Sequence, residues 1–409
     1  MMRWASPVAF VNARVVAADG AASSLRFASR VLDVDARPRR GDVVVDLDGA
    51  FLLPGLINAH DHLELNHYGP LKSRDRYENA ADWIDDMRPR LQTDPSIRAN
   101  RAHSLGNRLF IGGLKNLLAG VTTVAHHNPQ YREIGASVPL RVLQRYGWAH
   151  SFQLERQPVG ARGEPGGDVR ERYLATSAGA PFMMHVAEGV DAAAAAELGR
   201  LEALGCLRGN TVLVHGVAIT PLDWQRVVAR GAGLVWCPAS NHFLFGRTAP
   251  VRRFLDLSDD AAAQLCLGSD SRVTGARDLL DEMRSAASQA TLSPRELLRM
   301  VTTAPARLLR LADVGRLAPG ARADLLVVPA GKKDDAAAAL LAASRRDVAL
   351  VAIGGRPMVA APWLAPIFKA RRGTARPILV DGAERLADVR LARAIARCSL
   401  REPGVECVQ

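Results

Sequence analysis

His60 and His62 flank a single aspartate in the stretch LLPGLINAHDHLELN, Leu52 to Asn66. Successive side chains of an extended strand alternate sides, so two imidazoles one residue apart project from one face. Neutral imidazole is the commonest protein metal ligand, and two on one face are half of a site. Three more apolar runs finish in residues of the same kind. PFMMHVAEG ends in His185, with Glu188 three residues on; TVLVHG ends in His215; AQLCLGSDS ends in Asp270.

His60, His62 and His185 offer three neutral nitrogen donors, and Asp270 offers an anionic oxygen. That set suits zinc or ferrous iron. A divalent ion lowers the pKa of its bound water to about 7, and Asp270 can accept the proton released. His215 is either a further ligand or a hydrogen-bond donor to the attacking water or the developing anion. Glu188 lies close to the ion yet outside the ligand set, free to carry protons. The competing reading makes Glu188 a surface residue that begins the next helix.

These residues need strands that end together. From residue 51 onward, short apolar runs alternate with longer helical patterns, as in AAAAAELGRLEALG before TVLVHGV and TPLDWQRVVARG before AGLVWCPASN. That alternation marks a parallel α/β array. In an eight-fold barrel the C-terminal ends of all strands share one rim, which would gather the residues above. The first strand is expected over Leu53 to His62, with Pro54 and Gly55 at its start, where proline costs little. Residues 7–50 alternate as short strands, and the same pattern returns from about residue 314 in ADLLVVPA and DVALVAIGGRPMV. Both ends therefore read as one β domain beside the α/β block. The α/β block over residues 51–313 suits an eight-fold barrel about as well as a doubly wound sheet, beside a smaller β domain from 1–50 and about 314–365. Residues 366–409 form an extension with a helical candidate, AERLADVRLARAIARC.

Composition narrows the function classes. The 409 residues are 48% hydrophobic and 23% charged, which suits a globular enzyme and excludes a disordered chain. No apolar stretch is long enough to cross a bilayer, and the N-terminal MMRWASPVAFVNARVV reads as a strand rather than a secretion signal. Five widely spaced cysteines with no CxxC pair favour free thiols in a reducing, cytoplasmic setting. The net charge of +11 comes from arginines scattered through every segment, without a basic run interleaved with aromatics. A solvated basic surface is the favoured reading over nucleic-acid binding. The expected partner is a small-molecule substrate, with no nucleic acid and no membrane; self-association stays open.

The ordered set HxH, HxxE, H and D, each at a strand end, resembles the amidohydrolase superfamily, in particular its cytosine deaminase, guanine deaminase and triazine hydrolase branch. FLLPGLINAHDH, GVTTV at Gly120 to Val124, WCPASN at Trp236 to Asn241, LGSDS, and TTAPARLLRLADVGRLAPGARADLLVV are similar to the strands and tail of that branch in order. The resemblance spans residues from about 8 to 360. It implies a (β/α)8 barrel inserted in a split β sandwich, with one divalent metal ion, Zn2+ or Fe2+, on His60, His62, His185 and Asp270. It gives His215 and Glu188 to proton handling. A two-metal relative needs a bridging lysine on its fourth strand, and none of Lys72, Lys115, Lys332, Lys333 and Lys369 falls in that interval.

The resemblance implies hydrolytic deamination of a small amino-substituted nitrogen heterocycle. Opening a cyclic amide, or displacing another ring substituent, is the alternative within the same machinery; a binding protein on a hydrolase scaffold is the alternative outside it. Two stretches depart from the pattern. QLERQPVGARGEPGGDV, Gln153 to Val169, holds little that reads as a fourth strand, and VAHHN places His126 and His127 where relatives carry apolar or acidic residues. One of those two histidines is expected to touch substrate and the other to face away. Glu64, Asn66 and Asn241 are further candidate substrate contacts.

Overall fold

Runs of aliphatic and β-branched residues, six of them buried along their whole length, form most of the parallel strands that carry the candidate site. The computed structural model describes residues 6–17, 20–153, 168–257 and 262–408. Strand β1 (Leu56–Asp61) pairs in parallel with β2 (Val121–His126), and β2 with the two-residue β3 (Arg141–Val142). A second parallel sheet runs in order through β4 (Gly147–Trp148), β5 (Phe182–Val186), β6 (Thr211–His215), β7 (Gly233–Trp236) and β8 (Leu265–Leu267). The end of β8 lies against β1, where the Asp270 amide donates to the His60 carbonyl at 3.1 Å.

Helices fill the crossovers, and four of the following five are started by a short polar side chain. Helix α1 (Leu105–Leu118) begins where Ser104 accepts from the Asn107 amide and leads into β2. Helix α2 (Val169–Ala175) starts at the Asp168–Glu171 capping box. Helix α3 (Ala192–Ala203) starts at Asp191. Helix α4 (Pro221–Ala229) has a Thr220–Asp223 capping box with Pro221 in its first turn, where the missing N–H costs nothing. Helix α5 (Pro238–Phe245) follows β7 and ends at Gly246 in the left-handed region.

Outside the parallel sheets, a nine-stranded, mainly antiparallel sheet joins both chain ends. Its order is Val405–Cys407, Ala375–Val380, Ala383–Asp388, Arg356–Ala360, Leu350–Ile353, Leu325–Val328, Phe51–Pro54, Arg14–Ala17 and Gly20–Ala22. A four-stranded sheet from residues 8–46 packs beside it through Phe10, Leu25 and Phe27 against Leu325 and Leu350. No helix among the described residues is long and apolar enough to cross a membrane.

Three expectations change. The run from Leu53 to His62 is two strands, not one: Phe51–Pro54 belongs to the nine-stranded sheet and Leu56–Asp61 to the parallel one. Gly55 is the joint, and a Cβ there would lie 2.3 Å from the Thr122 side chain, so only glycine lets the chain switch sheets against β2. The helical candidate AERLADVRLARAIARC splits into the strand Ala383–Asp388 and the helix Val389–Arg397, with Asp388 capping the helix. The C-terminal extension is therefore woven into the sheet. The third and fourth parallel strands lie earlier than Gln153 and are two residues each; most of Gln153 to Val169 lies outside the described residues.

Candidate metal centre

The strand ends converge. His60 lies near the end of β1 and His62 just past it, His185 lies on β5, His215 ends β6, and Asp270 follows β8; all five are buried. His185 Nε2 lies 3.3 Å from His60 Nε2, and Asp270 Oδ1 lies 3.9 Å from His60 Nε2 and 3.8 Å from His62 Nε2. Two triads, His60–His62–Asp270 and His60–His185–His215, each bring ligand-type atoms within 4.8 Å of one another.

The donor set fits a divalent transition-metal ion. His185 Nδ1 bonds to the His150 carbonyl at 2.8 Å, so that nitrogen carries the proton and Nε2 presents a lone pair inward. A backbone carbonyl behind a ring in this way is the usual support of a metal-ligating histidine. Burial, then the neighbouring imidazoles, hold His60 and His185 well below the ordinary histidine range, so both are neutral, as ligands must be. Burial pushes the Asp270 carboxyl up, but His62, His215 and hydrogen bonds outweigh it and leave it below the usual carboxylate range. Ser240 and Thr274 hydroxyls hold Asp270 Oδ2 at 2.8 and 2.9 Å, which leaves Oδ1 facing the imidazoles.

The backbone is strained at the chemistry. Ala187, His215 and Asp270 have φ of 56°, 73° and 51°, a region that costs non-glycine residues on the order of 1–3 kcal/mol each. Each turns the chain sharply at a strand end. Helix α3 supports the first turn, because Glu197 accepts from the Ala187 amide at 2.8 Å.

Glu188 Oε1 lies 3.5 Å from His215 Nε2. Burial, then the carboxylates of Asp270 and Glu197, push the Glu188 carboxyl well above its usual range, so it is held as an acid. His215 Nδ1 bonds to Asn241 Oδ1 at 2.8 Å, while Asn241 Nδ2 donates to the His215 carbonyl and Thr248 Oγ1. In this tautomer the neutral His215 ring offers a lone pair at Nε2. Of the two roles expected for His215, ligand or hydrogen-bond donor, this tautomer suits a ligand or an acceptor at Nε2 better than a donor there.

The candidate substrate contacts separate. Every polar side-chain atom of Asn66 is engaged: Nδ2 with Asp61 Oδ1 at 2.7 Å, and Oδ1 with Lys115 Nζ at 2.7 Å and the Arg272 amide at 3.2 Å. Asn66 is a structural joint rather than a substrate contact. Asn241 is likewise committed to His215. His127 stacks on His185, ring centroids 4.3 Å apart, and bonds to the Ala149 carbonyl, so it lies behind a ligand-type ring. His126 turns the other way and takes the Leu63 amide on Nδ1, with Nε2 3.8 Å from Glu64 Oε2. Glu64 Oε1 is held by Asn128 and Tyr131, while its buried Oε2 has no hydrogen-bond partner.

Some residues at the centre went unread in the sequence. His150, two positions past β4, packs its ring 4.7 Å from that of His185. The signal was one more histidine after an apolar strand, hidden because that strand is only Gly147–Trp148. Arg272, two residues past Asp270, donates a buried bidentate pair of hydrogen bonds to the Glu402 carboxylate of the C-terminal segment at 2.9 and 2.6 Å. Arg345 reaches the same carboxylate at 2.5 Å and Asp381 at 2.8 Å.

The chain is similar to several known proteins. Residues 169–358 match the model of the amidohydrolase family. A 5-methylthioadenosine/S-adenosylhomocysteine deaminase from Natronomonas pharaonis is 28% identical over 343 residues, 70% of this chain and 75% of that protein. The triazine hydrolase of Arthrobacter aurescens superposes with a TM-score of 0.70 at 20% identity, over 87% of this chain and 95% of that one. An adenosine deaminase from Xanthomonas campestris with bound zinc gives 0.67 at 20% identity, over 89% and 98%. Over residues 169–358 the chain is thus similar to the amidohydrolase family, and it shares its fold with the two solved structures.

Proposed function

We propose that this protein is a zinc-dependent hydrolase that deaminates a small amino-substituted nitrogen heterocycle. In this reading the three-stranded and five-stranded parallel sheets are arcs of one (β/α)8 barrel spanning about residues 51–313. The two chain ends form the accompanying β domain. The fold likeness to the triazine hydrolase and the zinc-containing adenosine deaminase supports the reading.

One observation carries it. His60 Nε2 is shared by two buried groups, His62 with Asp270 Oδ1 on one side and His185 with His215 on the other, and Glu188 pairs with His215 beside them. His60, His62, His185 and Asp270 are the residues that would hold the ion. When bound, zinc supplies the Lewis acidity that makes a water nucleophilic at neutral pH. Asp270, held ionised, takes a proton from that water. His215 Nε2 accepts a hydrogen bond from the water or from Glu188 and so orients the attack. Glu188, held protonated, donates to the ring nitrogen next to the reacting carbon; the proton taken up by Asp270 passes to the departing amine, and the hydroxyl proton released as the carbonyl forms restores Glu188. The water oxygen forms the new C–O bond, the ring C–NH2 bond breaks, and ammonia leaves. Glu64, with a free buried oxygen, is the side chain best suited to accept a hydrogen bond from a substrate N–H.

Ammonia release tests this. Zinc-loaded protein is assayed with aminopurines, aminopyrimidines, pterins and aminotriazines. The proposal expects turnover of at least one class, its loss on chelation and its return with zinc. Fully loaded protein that releases ammonia from none of them overturns it.

A further inference from the structure

Helix α1 carries a lysine on its buried side. Lys115 is fully buried, and the helix reaches the turn after His62 because Gly112 packs on it: a Cβ there would lie 2.2 Å from the Leu63 carbonyl oxygen. The Lys115 ammonium meets four oxygens. These are Asn66 Oδ1 at 2.7 Å and, each at 3.1 Å, Ser269 Oγ, the Asp270 carbonyl and Asp61 Oδ2. Asp61 lies between His60 and His62 and points to the opposite face of β1, where Asn58, Asn66 and Asn116 also donate to its carboxylate. One cation thus grips the residue between two ligand-type histidines and the backbone of the ligand-type aspartate.

We propose that Lys115 is a positioning residue that sets the separation between the His60–His62 pair and Asp270, and so the tightness with which the site holds its ion. The inference rests on the metal-site reading above. A buried ion pair adds little net stability over apolar residues of the same volume, so stability does not account for placing a charge here. Geometry does. The two segments belong to β1 and β8, which share no ladder among the described residues and are joined at this rim by the Asp270 amide and by this network. Asp270 also sits at φ 51°, a conformation that needs outside support, and Lys115 and Ser269 both bond to its carbonyl. Supporting groups behind metal ligands typically change metal affinity by about 10–100-fold when removed.

The experiment compares zinc-loaded wild type, Lys115→Met, Ser269→Ala and a control, Arg26→Met. The control breaks a buried ion pair with Asp42 in the N-terminal four-stranded sheet. Zinc release into excess EDTA is timed well below each melting temperature, and kcat and KM are measured on the substrate found above. The inference expects zinc to leave Lys115→Met about 10–100-fold faster than wild type, with kcat falling more than KM rises. Ser269→Ala gives a smaller change in the same direction, and the control lowers the melting temperature with release unchanged. If Lys115→Met does not fold, Ser269→Ala carries the test. Release from the folded Lys115 variant at the wild-type rate, or equal acceleration in the control, overturns the positioning role alone. Wild-type protein that takes up no zinc overturns this role and the metal site together.

Discussion

His215 Nδ1 lies 2.8 Å from Asn241 Oδ1, and Nε2 of the same ring lies 3.5 Å from Glu188 Oε1. The first contact fixes the tautomer, and the tautomer decides what the second can do. With its proton on Nδ1, the ring can only accept at Nε2, and the protonated Glu188 is the matching donor. Asn241→Leu removes the lock and keeps the branching at Cγ. Turnover is expected to fall by about 10–100-fold with zinc content unchanged, as for other groups that orient an imidazole from behind. Wild-type kcat in that variant would show that the tautomer does not matter.

Glu188→Gln keeps the shape and removes the transferable proton. Zinc content should match wild type, while kcat drops by ~10²–10⁴-fold, the usual contribution of a positioned proton-transfer group. Metal analysis beside a steady-state assay checks this, and undiminished turnover would remove Glu188 from the mechanism.

Glu197 gives the fold a pH dependence. Burial pushes its carboxyl up to about 7, from an ordinary value of 4.5. Between those values the folded protein binds more protons than the unfolded chain, so stability falls as pH rises through the window and is level above it. The full effect is about 3 kcal/mol. Glu197→Gln still accepts from the Ala187 amide and removes the titration. Denaturant melts at pH 5 and pH 8 should show the variant gaining on wild type toward the higher pH. An equal gap at both would contradict the assignment.

Glu402 ties the C-terminal segment to the loop after Asp270. It is buried and receives Arg272 and Arg345 together. Glu402→Ala leaves the buried Arg272 without a carboxylate while Arg345 keeps Asp381, and removing one partner of a buried pair typically costs about 3–5 kcal/mol. The expected result is a large loss of stability in urea. A change below 1 kcal/mol would show that Arg272 finds its partners elsewhere.

The contrast between these residues explains what the sequence made legible. His60, His62, His185, His215 and Asp270 could be picked out because metal chemistry uses few residue types, and each stands at the end of an apolar run. The alternation of strand and helix patterns marked the parallel α/β block for the same reason. Lys115, Asn58, Asn116 and Glu402 gave no such signal. A polar residue inside a helix or a C-terminal turn looks like a solvated one until folding shows what it faces. The third and fourth parallel strands, Arg141–Val142 and Gly147–Trp148, are too short to carry a period. The break at Gly55 was also hidden, because Phe51–Pro54 and Leu56–Asp61 are both apolar and contiguous while their hydrogen-bond partners lie in different sheets.

Zinc-edge anomalous diffraction from a crystal of the zinc-loaded protein tests the central claim most directly. The account predicts one strong peak per chain, about 2.0–2.2 Å from Nε2 of His60, His62 and His185 and from Asp270 Oδ1. Glu188 would lie beside it without coordinating. A peak bound to His215 in place of one of these residues, a second peak of equal height, or a peak centred elsewhere, such as on His127 and His150, would contradict it.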